Sequence, residues 1–324
     1  MSAASRSMRR PPFWRFARKR QTETKIQEMP PVLKAAPDRR TWDTLLWQRL
    51  WRRKIARRMF YELVGLALMG RRDMQVLNCG YREPGYPAFA LRPEWEIERL
   101  GFQLYHRLTR SVAMNGADVI EIGCGRGGGA RFLAENFGPR SYWATDNSRL
   151  LIAGNRLRRR PMGLRFRFAR ADRVPFKAAS FDIGLSVETM HCLSDKAAFL
   201  DEMARVLRPA GRLLIADFFY QRDSSPSALS VFKKAVRESA WEVDDEQDWT
   251  SNTVASLEAD SPRRFGEIAR LPRMIRKYVL SFASTVESPL YHQLRDGRAA
   301  YVHFALSLRR GSRPARPPGD ERLR

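Results

Sequence analysis

From residue 95 to about 220, short apolar runs alternate with stretches of helical period. The pattern predicts a helix over about 95–113, a strand at 118–122, a helix at 128–137, a strand at 141–145 and a helix at 148–158. Strands near 164–169, 181–187 and 211–217 follow, with a helix at 195–206 before the last. Such alternation predicts parallel strands joined by crossover helices, an α/β fold with a doubly wound, mostly parallel sheet. Upstream, Trp47, Trp51, Ile55, Met59 and Leu63 recur every four residues beside Arg52, Arg53, Arg57 and Arg58, which predicts a basic amphipathic helix within 41–70. Downstream, 221–280 reads as irregular helices, and two strand-like runs around Asp296-Gly297 predict a C-terminal β-hairpin.

The expected organisation is therefore a basic tail over 1–40, an amphipathic helix and cap segment over 41–94, and an α/β domain over 95–308 with a helical lid insertion at about 221–280. A Pro/Arg tail over 309–324 closes the chain. Residues 1–40 mix Arg, Ser and Pro with no acid before Glu23, a composition of disordered tails that organelle transit peptides share. The helix at 41–70 has two readings: it lies on the domain with its arginines snorkelling, or it attaches to a membrane surface. The longest apolar stretch, 59–70, is interrupted by Glu62 and falls short of the ~20 residues a spanning helix needs. No transmembrane segment is expected, and the cytoplasm, with or without membrane contact, is the expected location.

Charge adds a question rather than an answer. The chain of 324 residues carries a formal +24, and residues 1–60 hold 17 Lys/Arg against 4 Asp/Glu, so 17 − 4 = +13 sits in this segment. Nucleic acid or an anionic membrane becomes a candidate partner, although Arg-rich composition throughout also fits codon bias. Three cysteines, Cys79, Cys124 and Cys192, lack the paired spacing of a zinc site, so no metal is expected and a reducing compartment is the simpler reading.

The candidate chemistry lies at the strand ends. The first strand runs DVIEIGCGRGGG: Glu121 is followed by Gly123, Gly125 and Gly127, and a helix begins at once. Glycines at a strand-to-helix turn let a ligand touch the backbone, and a carboxylate there suits an amino-acid ammonium better than a phosphate. The second strand ends in Asp146, placed to accept both ribose hydroxyls of an adenosine ligand, and Asp172 stands in a turn where it can accept from an adenine amino group. His191 follows the fourth strand in SVETMH, and Asp217 ends the fifth in IADF, so neighbouring strand ends can bring the two together as base and carboxylate. Each has a plainer reading, a pocket-lining histidine and a structural acid. Glu188 either binds cofactor or caps the following helix.

Together EIGCGRGGG, ATD, ADRVPF, FDIGLSVE and LRPAGRLLIADF resemble class I S-adenosylmethionine-dependent methyltransferases over about residues 95–220. The departure is Ala210, where that family usually has a glycine after Arg-Pro. LNCGYREP, FQLYHRLTRSVA, CGRGGGARFLAENF and VETMHCLSD are further similar to actinobacterial O-methyltransferases of the phthiotriolone dimycocerosate and polyketide- or sugar-tailoring type, over most of 54–308. The resemblance implies a Rossmann-like domain and S-adenosyl-L-methionine as cofactor, held by Glu121, Gly123, Cys124, Gly125, Asp146, Asn147, Ala171, Asp172 and Glu188. Tyr105, on the helix before the first strand, would close over the methionine end. It implies methylation of a hydroxyl on an apolar small molecule or lipid, with His191 and Asp217 as base and orienting carboxylate. The N-terminal helix and 221–280 would cover the acceptor pocket. Two alternatives stay open: an RNA methyltransferase using its basic ends, against which SVETMH replaces the Asn/Asp-Pro-Pro-aromatic tetrad of amino-group base methylation, and a C-methyltransferase of a lipid or quinone. The oligomeric state is not legible.

Overall fold

The structure is a computed structural model and describes Glu62 and residues 74–221, 227–271, 276, 279–280, 283–309 and 311. All of these lie in one compact unit, Lys54–Arg324. The expected tail over 1–40 and, apart from Glu62, the helix at 41–70 lie outside the described residues, as does nearly all of 309–324.

A 3-10 turn, Pro93–Glu98, leads into α1 (Arg99–Thr109), and then β1 (Asp118–Ile122), α2 (Gly128–Asn136), β2 (Ser141–Asp146), α3 (Arg149–Leu157) and β3 (Leu164–Phe168) alternate. After β4 (Phe181–Val187) come a 3-10 turn at Met190–Cys192, α4 (Lys196–Val206) and the long β5 (Leu207–Tyr220). The chain ends with α5 (Ala228–Arg237), β6 (Trp241–Asp248), α6 (Thr250–Ala269), α7 (Pro289–Arg295) and β7 (Ala299–Leu308).

The strands form one sheet in the order β3-β2-β1-β4-β5-β7-β6. β3, β2, β1, β4 and β5 are mutually parallel, while β7 runs antiparallel between β5 and β6. Neighbouring residues Val119 and Ile120 point to opposite faces and are both 0% exposed, because an apolar cluster packs on each side of the sheet. This two-sided burial explains why β1 reads as a nearly continuous apolar run. Strand order reverses between β1 and β4, the place where parallel sheets open a crevice at their C-terminal ends.

The expected C-terminal antiparallel pair is present, but its strands are β6 and β7, not two runs flanking Asp296-Gly297. Pro289–Arg295 is helical, buries Tyr291 and Leu294 three residues apart, and has Ser288 as its N-cap, so the Asp-Gly turn joins a helix to a strand. The expectation of helices throughout 221–280 is corrected by β6. Only Trp241 of that strand is fully buried, with its indole N–H donating to Leu200 O at 2.9 Å. Among the described residues no helix is long and apolar enough to cross a membrane.

Candidate active site

The turn after β1 is shaped by glycines at positive φ. Gly123 (φ +78) lies so close to Thr189 that a Cβ would sit 2.0 Å from its hydroxyl, whereas a Cβ on Gly125 (φ +51) would meet nothing within 4 Å. The first closes the loop against the tip of β4; the second leaves its backbone open to a ligand. Gly125 N–H donates to Asp146 Oδ2 at 2.9 Å, and Ser148 N–H to Asp146 Oδ1 at 2.8 Å, so the tip of β2 and the glycine loop form one unit. Burial raises the Asp146 pKa, which its two N–H partners oppose. Asn147 is exposed beside it. Ser148 caps α3, and its hydroxyl donates to Glu62 at 2.8 Å, which places one residue of the N-terminal region at the edge of this unit. Cys124 is buried and its thiol pKa is pushed well up, as expected of an inert loop residue.

Glu121 is 0% exposed, and both its oxygens are taken: Tyr105 donates to Oε1 at 2.9 Å and Tyr142 to Oε2 at 2.8 Å. Burial raises its pKa to about 7 against the pull of the two hydroxyls. The Tyr105 ring packs over Gly129 so closely that a Cβ there would approach it to 2.0 Å. Tyr105 thus bridges the start of α2 and Glu121. Asp172 lies in the turn after β3 and is paired with Arg170, whose Nε donates to it at 2.8 Å, with Ala171 half-buried between them.

The second half of the site lies after β4. Glu188 holds a left-handed backbone (φ 48) that is strained for a residue with a side chain, a feature often found at functional sites. Its carboxylate accepts from Cys79 N–H at 2.7 Å and from the Tyr301 hydroxyl at 2.9 Å. Burial raises its pKa, and the nearby Asp217 raises it further. His191 Nδ1 lies 2.9 Å from Asp217 Oδ1, and the imidazole stacks on Phe218 at 4.1 Å between centroids. Asp217 is 0% exposed and also accepts the N–H groups of Met190, His191 and Phe218. Burial pulls the His191 pKa down, but Cys192 and Asp217 outweigh it and hold it well above the ordinary imidazole value.

The structure thus brings together Tyr105 with Glu121, Gly125 with Asp146, and His191 with Asp217. Sequence reasoning missed Tyr142, Thr189, Cys79 and Tyr301. Cys79 stood in the LNCGY string, but its bond to Glu188 spans 109 residues and carries no local signal. The glycine loop, the open approach to Gly125 and the Asp146 carboxylate fit a ligand with an adenosine and an amino-acid end. A cavity of about 340 Å³ elsewhere, beside Trp95 and Arg131, contains none of these residues.

Residues 120–215 match the profile of a methyltransferase domain. The chain is 27% identical over 275 residues to a phthiotriol/phenolphthiotriol dimycocerosates methyltransferase of Mycobacterium leprae, covering 82% of this chain and 94% of that one. It is 29% identical over 235 residues to a fatty-acid O-methyltransferase of Mycolicibacterium smegmatis, covering 72% and 83%. Among solved structures, the [4+2]-cyclase SpnF superposes with a TM-score of 0.61 at 16% identity, covering 76% of this chain and 93% of that one. That neighbour shares the fold while its name states another reaction, so activity has to be read from the site.

Proposed function

We propose that this S-adenosylmethionine-dependent methyltransferase methylates a hydroxyl oxygen of a bulky, largely apolar lipid or polyketide-like acceptor, with His191 as general base. The observation that carries the reading is the His191–Asp217 pair at the ligand edge of the sheet. With Nδ1 donating to Asp217, Nε2 is the basic nitrogen that would take the proton of an acceptor hydroxyl, with the Cys192 thiol beside the imidazole. Asp217 is itself held in place by three backbone N–H groups, which fix its carboxylate against the imidazole.

Bound at the glycine loop, S-adenosylmethionine supplies a methyl group already activated by its sulfonium. Glu121, Gly123, Cys124 and Gly125 would hold its amino-acid end together with Tyr105 and Glu188. Asp146, Asn147, Ala171 and Asp172 would hold its adenosine end. In-line placement of the acceptor oxygen and removal of its proton are then the protein's remaining tasks. The names of the two relatives, a dimycocerosate methyltransferase and a fatty-acid O-methyltransferase, support an apolar acceptor. The helices α5 and α6 would cover it. The test is mass-spectrometric detection of methyl transfer to polyketide, glycolipid and fatty-acid fractions by the wild type and His191→Ala. A product methylated on carbon or nitrogen would refute the reading.

A further inference from the structure

Between Asp146 and Asp172 the chain carries eight arginines and no acid. At the end of α3 and in the turn joining it to β3, Arg156, Arg159 and Arg160 are exposed. Leu157 is 85% and Met162 99% exposed, the two highest values among the large apolar residues described. An isolated exposed apolar side chain needs no explanation, but here two project from one basic turn. The turn also forms one wall of the 340 Å³ cavity, lined by Arg92, Trp95, Arg131, Arg159, Arg160 and Met162, with Glu135 as the acid among them. Glu135 is paired with Arg92. Arg131 is buried and donates to Arg126 O, Asn155 and Arg159 O, all neutral acceptors. Burial and the nearby Arg158 and Arg160 pull its pKa to about 10.

We propose that the 156–162 turn is a docking face for an anionic lipid bilayer, its arginines meeting headgroup phosphates and Leu157 and Met162 entering the acyl boundary. Apolar side chains standing among guanidinium groups are the arrangement of interfacial membrane binders. Single-stranded nucleic acid would instead ask for exposed aromatic stacking platforms beside the charge, and the two most exposed apolar residues here are aliphatic. The turn lies beside β3, the edge strand, with β2, β1 and β4 between it and the His191 side, so docking there leaves that side accessible. The proposal rests on this surface and not on the acceptor reading. It also differs from attachment through 41–70.

The experiment is co-sedimentation of the full chain with phosphatidylcholine vesicles, with and without phosphatidylglycerol, for the wild type, Arg159→Ala/Arg160→Ala and Leu157→Ser/Met162→Ser. Two arginines at an anionic surface predict a drop of roughly thirty-fold in partitioning for the first variant at low salt. The second should lose roughly tenfold or more and keep that deficit at high salt, because insertion is not screened. Both should retain wild-type affinity for S-adenosylhomocysteine and wild-type Tm. Partitioning of both variants equal to wild type would assign membrane attachment to another region and overturn the proposal. So would an arginine variant that loses binding to a single-stranded RNA homopolymer while its vesicle binding is unchanged.

Discussion

Asp217 Oδ1 lies 2.9 Å from His191 Nδ1, while Asp217 Oδ2 accepts the N–H groups of Met190 and His191 themselves. The carboxylate therefore orients both the imidazole and the backbone that carries it. Replacing His191 by Ala should lower single-turnover methyl transfer by roughly two to four orders of magnitude with cofactor affinity unchanged. Asp217→Asn should lower rate and stability together, because an amide nitrogen would face backbone N–H donors at a buried site, at a cost of about 1–3 kcal/mol. An unchanged rate in His191→Ala would reduce the histidine to a pocket wall.

The pH dependence follows from the same pair. Only neutral His191 can accept a proton, and its pKa is held well above the usual value. The rate should accordingly climb with pH on the alkaline side of 6.5, the ordinary imidazole value. Asp217→Asn should move that limb to lower pH. A wild-type rate independent of pH from mildly acidic to alkaline conditions would contradict the base assignment.

For the ribose end the prediction is that Asp146→Ala abolishes calorimetric binding of S-adenosylhomocysteine. Asp146→Asn, which keeps one acceptor, should weaken it by a smaller factor. Because Asp146 also receives Gly125 N–H and Ser148 N–H, the alanine variant should further show faster amide exchange in the glycine loop. Wild-type affinity in Asp146→Ala would remove this strand tip from the cofactor site.

Glu121 gives a stability prediction with a definite sign. Its folded pKa, about 7, is above the ordinary 4.5. The folded protein therefore binds the proton more tightly, and that contribution is fully present below pH 4.5 and lost as pH rises through about 7. Glu121→Gln should flatten the fall of Tm across this window and leave the ligand-free protein more stable than wild type at pH 8, while weakening cofactor binding. Parallel Tm–pH curves for the two proteins would show that Glu121 is ionised throughout.

A glycine-to-alanine change inside α2 ordinarily stabilises a helix by up to about 1 kcal/mol. Gly129→Ala should instead destabilise, by about 1–3 kcal/mol, because its Cβ would press on the Tyr105 ring. Tyr105 would then be displaced from Glu121, and affinity for S-adenosylhomocysteine should fall with Tm. A Tm in this variant at or above wild type would show that the ring yields freely.

The sequence determined whatever depended on local period and on turn chemistry. β1 and β4 fall on the expected residues, because strands buried on both faces leave continuous apolar runs, and the positive-φ turn after β1 could be built only with glycines. Asp146 was legible as a strand end and His191 as the turn after β4, whereas β5 runs on past Asp217 to Tyr220, paired with β7, so Asp217 lies within the strand and not at its end. Tertiary structure decided the rest. β6 has only one fully buried residue, so as an edge strand it carries no apolar alternation to read. The run 289–295 became a helix because Tyr291 and Leu294 share one buried face, a fact set by what packs on it. Tyr142 meets Glu121 through the parallel register of β1 and β2, and Cys79 and Tyr301 meet Glu188 across more than 100 residues. Such contacts depend on how the sheet is ordered in space, which local periodicity does not encode.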